Sequence, residues 1–297
     1  MKNTRTFNLL LLQFIVFIWG FTGILGKEIT LDAFGIVWWR VLIASVAIFI
    51  FSLLSGRKVR ATGKEILKFS AVGFITAAHW VCFFSSIKAS NVSVALVVIS
   101  TIAFFVSLIS PFIRKEKFHA YEIILGVLVI VGLLFIFRFE SEYTLGIILS
   151  LCAAILAAVF STINSVFITR HTATKIAFWE MLAALFGMSV FMLLNGNFQP
   201  AMFELSSKDL SMLLVLGAVC TAFAFITAIN IMKVLSPFTC ALSVNMEPVY
   251  TIAFALYLYG SSEWMSPQFY LGAFIIISTM FIDIWLKKNE MKRRTGH

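Results

Sequence analysis
Four ionisable side chains, Arg40, His79, Glu180 and Glu247, lie deep inside apolar stretches of this sequence. A charged or titratable group is costly to bury unless something partners it, so each is a candidate for function. Glu247 directly precedes Pro248. Inside a helix a proline removes one backbone donor and clashes with the carbonyl four residues back, which makes Pro248 a candidate hinge. Thr239, Ser243, Glu247 and Tyr250 follow one another at spacings of 4, 4 and 3, which predicts a single polar helical face. A carboxylate on such a face could bind a substrate amine or exchange a proton. His79 has Thr76, Phe83 and Ser86 on its side of a helix. An imidazole there could relay a proton, touch a ligand, or only hydrogen-bond a neighbouring helix.

Around these groups lie further candidates for binding. Trp19, Trp80 and Tyr250 offer faces for a planar or apolar molecule, although aromatic residues make up 15% of the chain and serve packing as well. Asn164 and Asn230 carry amides that want partners if buried, as does Asn245. Ser93, Ser100 and Ser107 fall at heptad spacing on one narrow seam. Ser236 and Pro237 form an N-cap and first-turn pair. The four cysteines sit inside apolar runs with no paired spacing, and there is no HExxH, phosphate-cradling loop or Ser/His/Asp set. No metal and no cofactor is expected.

The elements that position these residues are membrane helices. The chain has 297 residues, 61% hydrophobic and 12% charged, with a mean hydropathy of +0.99. A soluble domain carries about 25% charged residues. That contrast excludes a water-soluble enzyme, a disordered chain and a nucleic-acid binder, despite a net charge of +9. A helix needs about 20 apolar residues to cross a bilayer, and ten runs qualify: 7–27, 33–54, 66–87, 92–113, 119–137, 144–168, 176–194, 209–232, 238–259 and 266–286. With the N-terminus inside, cytoplasmic segments hold 18 of the 23 basic residues and outer segments four, Arg40 lying within span 2. The positive-inside rule therefore predicts a multi-pass protein of the cell membrane with both termini cytoplasmic.

The sequence also repeats. IKASNVSVALVVISTIAFF (87–105) aligns with MKVLSPFTCALSVNMEPVY (232–250) at an offset of 145, and VWWRVLIA (37–44) with AFWEMLAA (177–184) at an offset of 140. Five spans per copy is an odd number, so the second copy is expected upside down relative to the first, an arrangement characteristic of secondary transporters. The fold class expected is all-α, ten transmembrane helices as two inverted five-helix repeats, 1–140 and 141–297, the second ending in a basic cytoplasmic tail. Ile102 stands where the second copy has Glu247, and Ala103 where it has Pro248, so span 4 is expected to be straighter than span 9. Arg40 and Glu180 match in the repeat but enter from opposite sides. Arg40 is expected to reach outward toward Glu28 or Asp32, and Glu180 inward toward Arg170 or Lys175. Glu116 and Glu263 are expected to cap the helices that follow them.

Trp19-Gly20, Trp39-Arg40, Glu247-Pro248-Val249 and the glutamates Glu116 and Glu263, in this order and spacing, resemble the EamA-type exporters of the drug/metabolite transporter superfamily. The resemblance covers 7–286. It implies a central cavity walled by spans 1, 3, 4, 6, 8 and 9, with spans 5 and 10 peripheral. The reading that follows is a secondary transporter, an exporter of small organic metabolites such as amino acids or related compounds, working by alternating access, with protons as a candidate coupling ion. Its partners are the substrate and the lipid bilayer. The alternative is an intramembrane enzyme or lipid-handling protein using His79 and Glu247 as acid and base. The topology is directly testable, since it places the 57–68 loop and His297 inside and Lys88 and Glu140 outside. Single cysteines at positions 140 and 204 should react with an impermeant reagent added to intact cells, and one at position 60 should not; labelling at 60 overturns the orientation.

Overall fold
The computed structural model describes residues 2–139, 141–260 and 264–295; Glu140, Glu263 and His297 lie outside them. The described residues are helical, without strands. Eight helices or helix pairs are long and apolar enough to cross a membrane. They are α1 (Lys2–Glu28), α2 (Ala33–Leu54), α3 (Gly63–Ala89), the broken pair α4 (Val92–Ile99) and α5 (Ile102–Arg114), then, after α6 (Ala120–Phe139), α7 (Thr144–Phe167) and α8 (Ala173–Leu194). Next come α9 (Ser207–Leu214) and α10 (Ala224–Ile231), joined by a π-helix over Val215–Phe223, and the broken pair α11 (Pro237–Val244) and α12 (Glu247–Tyr259). Of the ten runs, the remaining two fall in α6 and α13 (Pro267–Thr295), whose described apolar stretches, Ala120–Gly132 and Pro267–Asp283, are shorter. These two helices pack on each other, and neither contributes to the main buried cluster beyond Leu125 and Tyr121.

Helix bounds recur at the offsets of the sequence alignment. α2 and α8 have 22 residues each at an offset of 140, and both end one residue before a left-handed glycine turn, Gly56 and Gly196, once the caps Ser55 and Asn195 are passed. α4 and α11 have eight residues each and α5 and α12 have 13 each, all at an offset of 145. Even the left-handed residues after α5 and α12, Lys115 and Gly260, hold the same register. Loop ties also correspond. Trp39 Nε1 donates to the carbonyl of Met202 ahead of α9, and Trp179 Nε1 to that of Val59 ahead of α3. Asp209, in the first turn of α9, accepts from the backbone and hydroxyl of Thr30, while Glu65, in the first turn of α3, pairs with Lys175 and His171.

Span 4 is interrupted as well, although Ala103 stands where span 9 has Pro248. It breaks at Ser100–Thr101, at the offset that matches the Asn245–Met246 break before Pro248. The means differ. Ser100 Oγ donates to the Leu96 carbonyl and Thr101 Oγ1 to that of Val98. Hydroxyls that capture carbonyls of the preceding turn bend a helix without any proline. In the second case Pro248 lacks the N–H that would bond one turn back. The break also splits the expected polar stripe, because Thr239 and Ser243 belong to α11 and Glu247 and Tyr250 to α12.

Glu116 does not cap the following helix. It turns back to take both the Nε and Nη2 of Arg114, at 3.0 and 2.8 Å, and that guanidinium holds its carboxyl below the usual carboxylate range.

Close helix approach rests on a few glycines. A Cβ at Gly217, in the π-helix, would lie 2.6 Å from Ile43 Cβ and 3.1 Å from the Arg40 carbonyl of α2. Gly217→Ala should therefore destabilise the protein by about 1–3 kcal/mol through overpacking, seen as a lower melting temperature in detergent. Gly63→Ala, at a first-turn position open to space, should leave the melt unchanged or raise it slightly.

Candidate functional site
A cavity of about 130 Å³ lies between α1, α2, α3, the α4–α5 break, α7, the π-helix with α10, and the α11–α12 break. Its wall is mostly apolar and aromatic: Trp19, Trp80, Phe83, Phe160 and Phe225 with Ile99, Ile102 and Ile229. Arg40, His79, Asn164 and Glu247 also line it, together with Cys220 and Cys240. Six of the sequence candidates, Glu247, His79, Trp80, Trp19, Asn164 and Arg40, thus share one chamber.

Glu247 is the first residue of α12 and only 7% exposed. The free N–H groups of a helix's first turn carry partial positive charge, so the break sets the carboxyl where backbone polarity favours an anion. Its carboxylate makes no hydrogen bond among the described residues; its principal electrostatic partner is Arg40. His79 lies across the chamber, its Nδ1 2.8 Å from the Ala153 carbonyl, its ring stacked on Phe83 and edge-on to Phe160. A neutral imidazole that donates from Nδ1 to a carbonyl leaves Nε2 as an acceptor.

Arg40 departs from its expected place. It does not reach out to Glu28, which pairs with Lys208 at 2.6 Å, or to Asp32, which caps α2 through the Gly35 N–H. It is 2% exposed. Its Nε donates to Thr221 Oγ1 at 2.6 Å, and Thr221 in turn donates to the Leu216 carbonyl at 2.7 Å. The guanidinium lies over the Trp80 ring, 4.1 Å from its centroid, and Nη1 has no hydrogen-bond partner. The π-helix carries this dock: Thr221 hydrogen-bonds five residues back and meets Arg40, and the neighbouring Cys220 carbonyl takes the Trp19 Nε1 donor at 3.1 Å. Composition gives no warning of a π-helix in VLGAVCTAF; the one cue is a small residue, Gly217, matched to a bulky neighbour.

Glu180 is also displaced from its expectation. It is fully buried behind the cavity wall, where Asn164 Nδ2 donates to Oε2 at 3.1 Å, and Lys175 goes instead to Glu65. The remaining candidates lie off the chamber. Ser100 and Ser243 spend their hydroxyls on the carbonyls of Leu96 and Thr239. Tyr250 packs edge-on against Phe17, and Asn230 is exposed on the outer side of α10. A polar residue in a helical pattern fixes a face only while the helix is regular, and both span 8 and span 9 lose regularity here. Thr22 and Phe160, which line the chamber, gave no sign in the sequence beyond their helical register.

The match to known proteins is decisive at this point: the EamA-like transporter family fits residues 6–138 and again 144–283. The chain belongs to the EamA-like transporter family. It is therefore a membrane transporter of the drug/metabolite superfamily, with a small-molecule substrate and a bilayer around it. It is 22% identical over 290 residues to an uncharacterized transporter of Archaeoglobus fulgidus, covering 94% of this chain and 97% of that one. A solved protein structure superposes with a TM-score of 0.71 at 17% identity, over 96% of this chain and 99% of the other; the likeness there is one of fold. In this EamA-like chain the two cavity thiols provide an internal probe. Variants keeping only Cys220 or only Cys240 should react with a small charged thiol reagent that enters the chamber. A variant keeping only Cys152, exposed on the apolar outer face, should react with a lipid-soluble maleimide and resist the charged reagent. The reverse pattern by mass spectrometry would remove the chamber as an aqueous site.

Proposed function
We propose that this protein is a secondary transporter that exports small organic metabolites, amino acids or related compounds, across the cell membrane by alternating access. The ten helices act as two inverted five-helix repeats, 1–140 and 141–297, with both termini cytoplasmic. The observation that carries this reading is the chamber at the two matched helix breaks, with Glu247 at the first turn of α12. Discontinuous helices whose broken ends line a mid-depth site are how secondary transporters hold ions and polar substrates in a bilayer. The equal lengths of α2 and α8, α4 and α11, and α5 and α12 support the repeat, as does the double family match.

Glu247 serves as the coupling group, holding a proton in one half of the cycle and a substrate amine in the other. The groups facing it are Arg40 from α2, the Cys220 thiol from the π-helix and, across the chamber, His79. With Ile102 at the matching position in α5, one carboxylate is present at the breaks and the coupling through it is at most one proton. His79 and Glu247 do share the chamber, as an acid–base enzyme would need, but family membership supports transport of an unaltered solute.

Flux in proteoliposomes tests the reading. Wild-type protein should move a metabolite in the direction opposite to the proton flow that an imposed gradient drives, and return it chemically unchanged. Glu247→Gln keeps the shape and removes the charge, so it should fold, yet its flux should lose all dependence on pH. A pH profile identical to wild type would refute the role of Glu247, and a chemically altered product would refute transport alone.

A further inference from the structure
Arg40 is an expensive group to place where it is, and among the described residues no carboxylate pairs with it directly. One edge of the guanidinium is fixed by Thr221, one face is covered by Trp80, and Phe84 lies 5.6 Å away on the ring side. That leaves Nη1 buried with no hydrogen-bond partner, on a residue that lines the chamber. A planar fork of N–H donors, immobilised at Nε and by stacking, is preorganised for a planar bidentate anion. Glu247 cannot satisfy it in place, because no ion pair within 4.0 Å joins the two among the described residues; they interact only at longer range.

We propose that Arg40 is a fixed carboxylate-binding subsite of the chamber, and that Thr221 on the π-helix is the positioning residue that aims it. The proposal rests on the transport reading for the identity of the chamber as a solute site. The charge count selects the ligand class. One guanidinium beside one carboxyl residue suits a monoanion, whereas a phosphate dianion calls for a second fixed cation, and the lining holds no further arginine or lysine. The aromatic wall of Trp19, Phe83, Phe160 and Phe225 suits an apolar or aromatic body attached to that carboxylate. An amino acid would set its carboxylate on Arg40 and its ammonium toward Glu247, replacing the longer-range attraction between the two residues by two direct pairs. A simple carboxylic acid would use the Arg40 half alone.

The test is ligand-dependent thermal stabilisation of the purified full-length protein. Each of the common amino acids is screened, and the methyl ester, decarboxylated amine and deaminated acid of the aromatic and large aliphatic ones are screened with them. At least one free carboxylate should raise the melting temperature, while its ester and its decarboxylated amine should not. The deaminated acid separates the two sources: equal binding identifies simple acids, and weaker binding identifies amino acids held at both ends. Arg40→Gln should abolish the shift, and Arg40→Lys should retain it at about tenfold higher ligand concentration, since a point charge replaces the fork. Thr221→Val should weaken binding about tenfold and Thr221→Ser restore it; this pair keeps the claim testable if the Arg40 variants do not fold. The site is overturned if no carboxylate in the panel shifts the melt, if an ester or amine works as well as its acid, or if Arg40→Gln binds like wild type. Flux of an uncharged or cationic solute, with no carboxylate bound, would sink this site and leave transport standing. Carboxylate binding through Arg40 with no flux of any panel compound would do the opposite.

Discussion
The hydrogen bond from Arg40 Nε to Thr221 Oγ1, 2.6 Å long in the buried interior, is the contact on which the arrangement of the chamber depends. A guanidinium taken from water into a surrounding of low dielectric loses hydration worth several kcal/mol, even after relaxation. It survives there only if donors are matched and the charge is answered. Thr221 answers one donor, the face of Trp80 answers part of the charge, and Glu247 answers more at a distance. Thr221 can do this because the helix is π-wound from Val215 to Phe223, and because Gly217 lets that segment come within contact of the Arg40 carbonyl. Winding, glycine and arginine are one device.

The same economy of polar groups governs the two helix breaks. A spanning helix that stops at mid-depth exposes N–H and C=O groups that apolar surroundings cannot satisfy. At Ser100–Thr101 the side-chain hydroxyls take the freed carbonyls. At Asn245–Met246 the backbone turns tightly, with the Asn245 and Met246 N–H groups on the carbonyls of Leu242 and Ser243. Pro248 then lacks the N–H that would have bonded one turn back. Two chemistries thus produce breaks at matching positions, and both open onto the chamber, so the backbone plan is conserved between the halves while the side chains are free to differ.

Much of this was legible in the sequence, and the residues show why. Hydropathy located the eight long spans because a bilayer-length apolar run has few other uses, and the offsets of 140 and 145 located the matching helices because caps, turns and breaks recur with them. Gathering Trp19, His79, Trp80 and Glu247 in one place needed only the helical register of spans 1, 3 and 9. The failures are of tertiary origin. Placing Ser243 beside Glu247 assumed an unbroken helix, Tyr250 shares α12 with Glu247 but packs on Phe17, and sending Arg40 outward assumed that nothing inside could hold it. Breaks made by hydroxyl back-bonding and π-winding depend on which carbonyl a side chain finds in three dimensions, and a serine or threonine in the sequence does not announce it.

The halves match in backbone and differ in charge, and that difference has a consequence for how the chamber works. Position 40 carries the arginine that lines the chamber, whereas its counterpart at 180 carries a glutamate withdrawn behind the wall onto Asn164. Position 247 carries the chamber's carboxylate, whereas its counterpart at 102 carries isoleucine. A positive pole therefore comes from the first half and a negative pole from the second, with aromatic surface contributed by both, from Trp19, Trp80 and Phe83 to Phe160 and Phe225. On the proposed reading, a solute that bridges the poles would tie the halves together, and one that leaves would release them to attract each other at longer range. Any motion of one half against the other that changes this separation would then change the energy of the empty chamber through these two residues, before a single substrate contact is counted.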